Sequence, residues 1–444
     1  MKALVLGAGI SGIAAAKFLA QKDFSTTISD ISNLSDQKMK VLNDLKINFI
    51  SGPQTPKLFE THYDLLIVSP GIPPEHTLIK IAKKNHIPIR TEIGLALEYY
   101  QGKIIGVTGT NGKSTICKMI EHLGSLLGYQ IKAGGNIGIP LCSLINQKNS
   151  QDALVVELSS YQLQWEPIPT HLMIYSSFSQ DHIDRHKSLK NYFLTKWRAT
   201  EFLQPGGQVY LSEGIYQYIK KYHLDFPNNF RLVNFTDKDK NFVHHYHPGH
   251  QTTETIDHLD FRHTKLFFHD RINASLAIYA LAKIFSESTN KVFENIFSYQ
   301  SLPHRMERFY EFNQVVFIND SKSTNLESTL MALSAINTPI LLLLGGQSKK
   351  EKFDAIGRFR DKIYLIICFG DSGDEIYQTV NSFCTTIKVR NVKNSISVIR
   401  THLIRKSTVL FSPGCSSFDE FSSFEHRGTY FKNAILESAN ETKS

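Results

Sequence analysis

The residues with the most evident chemistry form one short run, Gly106-Val-Thr-Gly-Thr-Asn-Gly-Lys-Ser-Thr115. Gly109 and Gly112 can let the backbone curl around phosphate oxygens, with the amides of Thr110 and Asn111 between them. Lys113 can reach the β- and γ-phosphates, and the hydroxyl of Ser114 or Thr115 can ligate magnesium. Gly106 lies one residue too far back for the strict GxxxxGK[ST] spacing. The context still fits, because an apolar strand, Lys103 to Val107, precedes the run and helical residues Ile116 to Leu127 follow it.

A phosphate loop needs carboxylate help for its metal. The apolar strand Ala153 to Val156 delivers Glu157 at its C-terminal end, where α/β sheets place ligand-binding groups. Asp181-His182-Ile-Asp184-Arg185-His186 follows the next strand, Leu172 to Tyr175, and offers an imidazole and carboxylates for a metal. Lys196 stands four residues after Tyr192 on one helix face and, taken alone, reads as a solvated lysine. Further on, Asn319-Asp-Ser-Lys-Ser-Thr-Asn325 follows strand Val315 to Ile318 at another sheet edge. Its bland reading is a capped turn, with Ser323 or Thr324 closing the helix. Near the start, Gly7-Ala-Gly-Ile-Ser-Gly12 and Asp30 match a dinucleotide turn whose backbone amides receive a diphosphate. A nicotinamide oxidoreductase is therefore an alternative, yet the next glycine-rich turn begins at Gly106 and leaves little room for two dinucleotide halves.

Strand-like runs alternating with helical periodicity position these groups, which predicts α/β architecture with largely parallel sheets. Three blocks emerge, 1–92, 93–300 and 301–444, the last boundary marked by the polar, Pro-containing stretch at Gln300 to Pro303. The 444 residues, 41% hydrophobic and 20% charged, are globular in composition, which excludes fibrous and disordered classes. The surplus of 49 Lys and Arg over 41 Asp and Glu gives +8, suited to anionic small molecules; no basic and aromatic motif argues for nucleic acid. Three glycines interrupt the first apolar stretch, against a signal peptide. The longest apolar run, Ile340 to Leu344, is far too short for membrane insertion. Five scattered cysteines indicate neither disulfides nor zinc and suit a reducing cytoplasm. Seven histidines between Thr236 and Asp270 read as a polar surface loop or hairpin, and Ser438 to Ser444 as a frayed tail.

The ordered set of phosphate loop, Glu157, Asp-His-Ile-Asp-Arg-His, Lys196, Leu302-Pro-His-Arg305, the Asn319 run and Phe424-Glu-His-Arg-Gly428 resembles the Mur ligases of peptidoglycan synthesis over essentially the whole chain. The L-alanine-adding branch usually has His in place of Asn111, and the diamino-acid branch a DNPR motif absent here. The resemblance therefore implies the branch adding D-glutamate. Two positions depart from its pattern: Lys352 precedes Phe353 where an acidic residue is common, and Phe418 replaces a common Leu.

The resemblance implies an N-terminal Rossmann-like UDP-binding domain, a central P-loop ATPase-like domain and a C-terminal Rossmann-like amino-acid-binding domain. It further implies ATP and two magnesium ions as cofactors, UDP-N-acetylmuramoyl-L-alanine and D-glutamate as substrates, and a cytoplasmic monomer. Ser114 and Glu157 would hold one magnesium, and His182 and Lys196 the second, with Lys196 carbamylated by CO₂ because a protonated lysine cannot ligate a cation. Lys113, Glu157, His182 and Lys196 are the expected catalytic groups. Ile10, Ser11, Asp30, Ser69, Gly71, Asn136 and His182 would contact the UDP-sugar. Asn273, Arg305, Asp320 and Lys322 would join Gly109 to Thr115 around ATP. Thr324, Lys349, Ser417 and Phe424 would hold D-glutamate.

Overall fold

The computed structural model describes the chain except residues 146–150, 228, 236–240, 248–249, 256–258, 265, 301, 349–350 and 442–444. Its strands fall into three sheets. The first is wholly parallel: β1 (Lys2–Leu6), β2 (Ser25–Asp30), β3 (Asn48–Ser51), β4 (Leu65–Val68) and β5 (Ile89–Arg90), in the order β3-β2-β1-β4-β5. Both faces are covered, so successive residues of β1 alternate between two cores. Ala3 and Val5 pack with Ala15, Leu19 and Ile28, whereas Leu4 and Leu6 pack with Leu66, Val68, Leu78 and Ile79. A strand buried on both sides reads as an unbroken apolar run, which is why these strands are visible in the sequence.

The second sheet comprises β6 (Lys103–Thr108), β7 (Ile131–Gly135), β8 (Ala153–Glu157), β9 (Thr170–Tyr175), β10 (Leu203–Ser212), β11 (Phe230–Phe235), β12 (Asn241–His247) and β13 (His250–Thr255), in the order β13-β12-β11-β10-β9-β6-β8-β7. It is parallel from β7 through β11 and antiparallel across β11, β12 and β13. The histidine tract thus contributes an antiparallel hairpin of backbone. The third sheet contains β14 (Glu307–Phe312), β15 (Val315–Asn319), β16 (Ile340–Gly345), β17 (Ile363–Phe369), β18 (Thr386–Lys388) and β19 (Thr408–Gly414), in the order β14-β15-β19-β16-β17-β18. Only β14 runs antiparallel there.

By internal contacts the chain forms two compact units, Met1–Leu266 with Asp270–Tyr299, and Phe267–His269 with Gln300–Ser444. The first unit holds both leading sheets. Where they join, two buried carboxylates each accept a backbone amide at a helix start. Glu166 Oε1 accepts from Thr91 N at 2.5 Å, ahead of the helix Glu92–Glu98, and Glu92 Oε1 accepts from Cys142 N at 2.6 Å, in the helix Leu141–Ile145. Gly94 is needed for this fit, because a Cβ there would stand 2.1 Å from Glu166 Oε1. Burial pushes the Glu92 carboxyl up to about 7 and raises that of Glu166.

Three sequence expectations need correction. Lys196 is buried, not solvated. The helix Leu326–Ala335 is capped by Asn325, whose side chain accepts from Ser328 N, and not by Ser323 or Thr324. The tail expected to fray from Ser438 is helical through Glu441, within Phe424–Glu441. Among the described residues, no helix is long and apolar enough to cross a membrane.

Candidate active site

The glycine run leaves the C-terminal end of β6, a central strand, and enters the helix Lys113–Leu126. Gly109 and Gly112 have φ of +140° and +86°, which disfavour any side chain. A Cβ would also meet Ser176 Oγ at 2.1 Å from Gly109 and Asn273 Oδ1 at 2.5 Å from Gly112. The loop is buttressed by the segment after β9. Thr110 N donates to Ser177 O (2.8 Å), Asn111 N to Ser177 Oγ (2.9 Å), Ser179 N to Thr110 Oγ1 (3.1 Å) and Ser176 Oγ to Asn111 O (2.6 Å). Lys113 Nζ donates back to the carbonyls of Gly109 (3.0 Å) and Thr110 (2.7 Å). Sequence reasoning missed Ser176, Ser177 and Ser179. Their one signal was position, a serine run immediately after an apolar strand.

Register places Glu157 beside this loop, since Glu157 on β8 pairs with Val107 on β6. Its Oε1 accepts from Asn136 Nδ2 at 2.9 Å, while its Oε2 is buried without a hydrogen-bond partner. A buried carboxylate oxygen in that state suits a cation. Among the described residues no group of three or more His, Cys, Asp or Glu could cage a metal, so a cation here would draw further ligands from hydroxyls, water and phosphate, as magnesium does.

On the other flank, the Lys196 ammonium nitrogen sits 4.9 Å from the Tyr192 ring centroid and 3.5 Å from Thr108 Oγ1. Burial first, and then the Lys113 charge, hold its pKa well below the ordinary lysine range. His182 has a left-handed backbone, φ 52°. Its Nδ1 is 3.2 Å from Tyr161 Oη and its Nε2 is 3.5 Å from Asp181 Oδ2. Nearby His186 is buried, with Nε2 2.9 Å from Ser160 Oγ; burial and the positive charges around it, led by His182, push its pKa down to about 4.

In the first sheet, the turn after β1 packs so tightly that a Cβ on Gly12 would lie 1.9 Å from Gly7 O. Asp30 Oδ2 accepts from Ala8 N at 2.6 Å, bracing the turn, and Ser69 Oγ donates to Gly7 O at 3.3 Å. Ile10 is 74% exposed at the start of the helix Ile10–Gln21, an apolar surface beside a helix N-terminus without a side-chain cap. Ser11, Ser69 and Gly71 line the same end of the sheet.

The second unit carries the remaining expected residues, apart from Lys349, which lies outside the described residues. Asp320 is buried at the end of β15, where its Oδ2 accepts from Ser323 Oγ (2.5 Å) and Ser412 Oγ (2.7 Å) and its Oδ1 from Met306 N (3.1 Å); burial raises its pKa. Lys322 Nζ lies 3.7 Å from the Phe424 ring centroid. Arg305 precedes β14, Thr324 is half-buried in the Asn319 run, and Ser417 is buried after β19. Arg427, quoted in the sequence motif but assigned no role there, is fully buried. It ties the two loops together by donating to Ser321 Oγ and O, Cys415 O and Ser416 O.

A parallel-sheet chain with this phosphate loop and this carboxylate matches two family models, the Mur ligase middle domain over residues 107–281 and the Mur ligase MurD-like N-terminal domain over residues 1–91. The chain belongs to the Mur ligase family. It is 31% identical to the UDP-N-acetylmuramoylalanine--D-glutamate ligase of Pelodictyon phaeoclathratiforme, covering 97% of each chain, and 31% identical to the enzyme of that name from Prochlorococcus marinus, over 98% of this chain and 96% of that one. Among solved structures it shares the fold of the UDP-N-acetylmuramate-alanine ligase MurC of Thermotoga maritima (TM-score 0.56, 17% identity, all of both chains) and of MurF ligase from the same organism (TM-score 0.58, 11% identity, 94% of this chain and 97% of that one).

Proposed function

We propose that this chain is the ATP-dependent, ADP-forming ligase that adds D-glutamate to UDP-N-acetylmuramoyl-L-alanine in peptidoglycan precursor synthesis. The observation that carries the reading is the 31% identity, over 97% of the chain, to a relative bearing that name. ATP phosphorylates the alanyl carboxylate, the amine of D-glutamate attacks the acyl phosphate, and the tetrahedral intermediate expels phosphate as the amide forms. Each step concentrates negative charge, so the groups needed are fixed cations and amide donors.

Under this reading the domains are 1–92 for the UDP-sugar, 93–300 for ATP and 301–444 for the amino acid. Gly109 to Thr115 cradle the phosphates, with Lys113 exchanging its two carbonyl acceptors for β- and γ-phosphate oxygens, and Asn273 backs the loop. Arg305, Asp320 and Lys322 serve ATP, while Thr324, Lys349, Ser417 and Phe424 hold D-glutamate. Ile10 offers an apolar face, and Ser11, Asp30, Ser69, Gly71, Asn136 and His182 offer polar contacts, to the UDP-sugar.

Magnesium, when bound, supplies positive charge against the phosphates. Ser114 and Glu157 would hold one ion, as the unpartnered Glu157 Oε2 favours, and His182 and Lys196 a second. The depressed lysine pKa supports carbamylation, because only the neutral amine adds to CO₂; the new N–C bond releases a proton and leaves an anionic carbamate. A cytoplasmic monomer suits nucleotide substrates and the scattered free cysteines. Phosphate release with ATP and UDP-N-acetylmuramoyl-L-alanine tests the reading. D-glutamate should support turnover, and equal rates with L-glutamate or L-alanine would refute it.

A further inference from the structure

We propose that Arg185 binds an anionic group of the UDP-sugar and sets the loop after β4 against the His182 turn. Arg185 lies on the short helix Ile183–His186, flanked by left-handed His182 (φ 52°) and Lys187 (φ 69°). Two such non-glycine residues cost energy that surrounding contacts must offset. Arg185 supplies one, because its Nη2 donates to Ile72 O at 3.0 Å, across 113 positions of sequence, on the loop that also carries Ser69 and Gly71. Its guanidinium lies 5.2 Å from the Tyr161 ring centroid, and Tyr161 Oη in turn is 3.2 Å from His182 Nδ1. One side chain therefore connects the loop whose Ser69 and Gly71 are expected at the UDP-sugar with Tyr161, the partner of the His182 imidazole.

The way Arg185 uses its donors distinguishes it from a merely structural arginine. Arg427 commits three nitrogens to four acceptors. Arg185 makes one such bond, and its Nε is buried with no acceptor. No carboxylate forms an ion pair with it among the described residues. A guanidinium with unspent donors between the loop after β4 and the Tyr161–His182 pair matches an anionic ligand. That ligand carries two candidate anions, the diphosphate and the alanyl carboxylate.

The inference rests on the ligase reading, and calorimetric titration separates the two. Wild type should bind UDP-N-acetylmuramoyl-L-alanine; no binding would refute the ligase reading itself. Arg185→Ala should weaken that binding at least tenfold while the KM for ATP stays within twofold. Arg185→Lys should recover only part of the loss, since an ammonium is a point charge without the guanidinium's planar fork and cannot donate to Ile72 O and to an anion with the same geometry. Titration with UDP distinguishes the anion: a parallel loss assigns the diphosphate, and a loss confined to the full substrate assigns the carboxylate. Wild-type affinity of Arg185→Ala for both ligands would overturn the proposal, as would an equal rise in the KM for ATP, which would mark a general structural role.

Discussion

Replacing Glu92 by glutamine should change how stability varies with pH more than it changes stability itself. The amide keeps an oxygen for Cys142 N but cannot titrate. In the fold, burial raises the carboxyl from 4.5 to about 7. A raised pKa means that the protonated form is the one the fold favours. That contribution is complete below about pH 4.5 and is lost as pH rises through 7. At about 1.36 kcal/mol per pKa step, the full loss approaches roughly 3 kcal/mol. The difference in unfolding free energy, wild type minus Glu92→Gln, should therefore fall by that order between pH 5 and 8. Glu166 is present in both proteins and cancels, and burial keeps the Cys142 thiol protonated throughout this window. Urea titrations followed by tryptophan emission suit the question, because both tryptophans, Trp165 and Trp197, lie in the first unit. A difference constant to within about 0.5 kcal/mol from pH 5 to 8 would refute the argument that burial governs this carboxyl.

Lys113→Ala should abolish ligation while leaving calorimetric UDP-sugar affinity within twofold, since the phosphate loop and the first glycine turn belong to different sheets. Lys196→Ala should lose most activity and regain part of it with added short carboxylic acids; full activity without them would exclude an anionic role. Gly12→Ala drives a Cβ to 1.9 Å from Gly7 O, and overpacking of this kind costs about 1–3 kcal/mol or more. Its thermal midpoint and UDP-sugar affinity should both drop, and retention of both would show that the turn can open without cost. Arg185→Ala should weaken UDP-sugar binding selectively, as argued above.

The central strands were legible because both of their faces are buried: β1, β6, β8, β16 and β19 each read as an apolar run ending in glycine or a polar group. Edge strands such as Ile89–Arg90 and Thr386–Lys388 were not, being too short for any period to register. A different limit applied to β12 and β13, long enough to register but rich in histidine and threonine, which carry no apolar alternation. At the site, spacing exposed the phosphate loop and Glu157, but not the inside of the Lys196 helix. Periodicity puts Lys196 on the face of Tyr192 without saying whether that face looks inward. Asn325 was hidden among Ser321, Ser323 and Thr324, all able to cap a helix, and only backbone geometry chooses between them. The buttress from Ser176 to Ser179 depends on contacts spanning more than sixty positions, beyond any local pattern.

That buttress has a kinetic and entropic consequence. Because the phosphate loop is cast against the serine segment by fixed hydrogen bonds, an arriving nucleotide meets a mould instead of a coil. It need not freeze the backbone of the loop, only exchange the carbonyl acceptors of Lys113 for phosphate oxygens. The conformational penalty that a flexible loop would subtract from affinity is largely absent. Substitutions at Ser176 or Ser177 should then slow nucleotide capture and weaken its retention without touching the nucleotide, by returning to the loop the freedom that folding had removed.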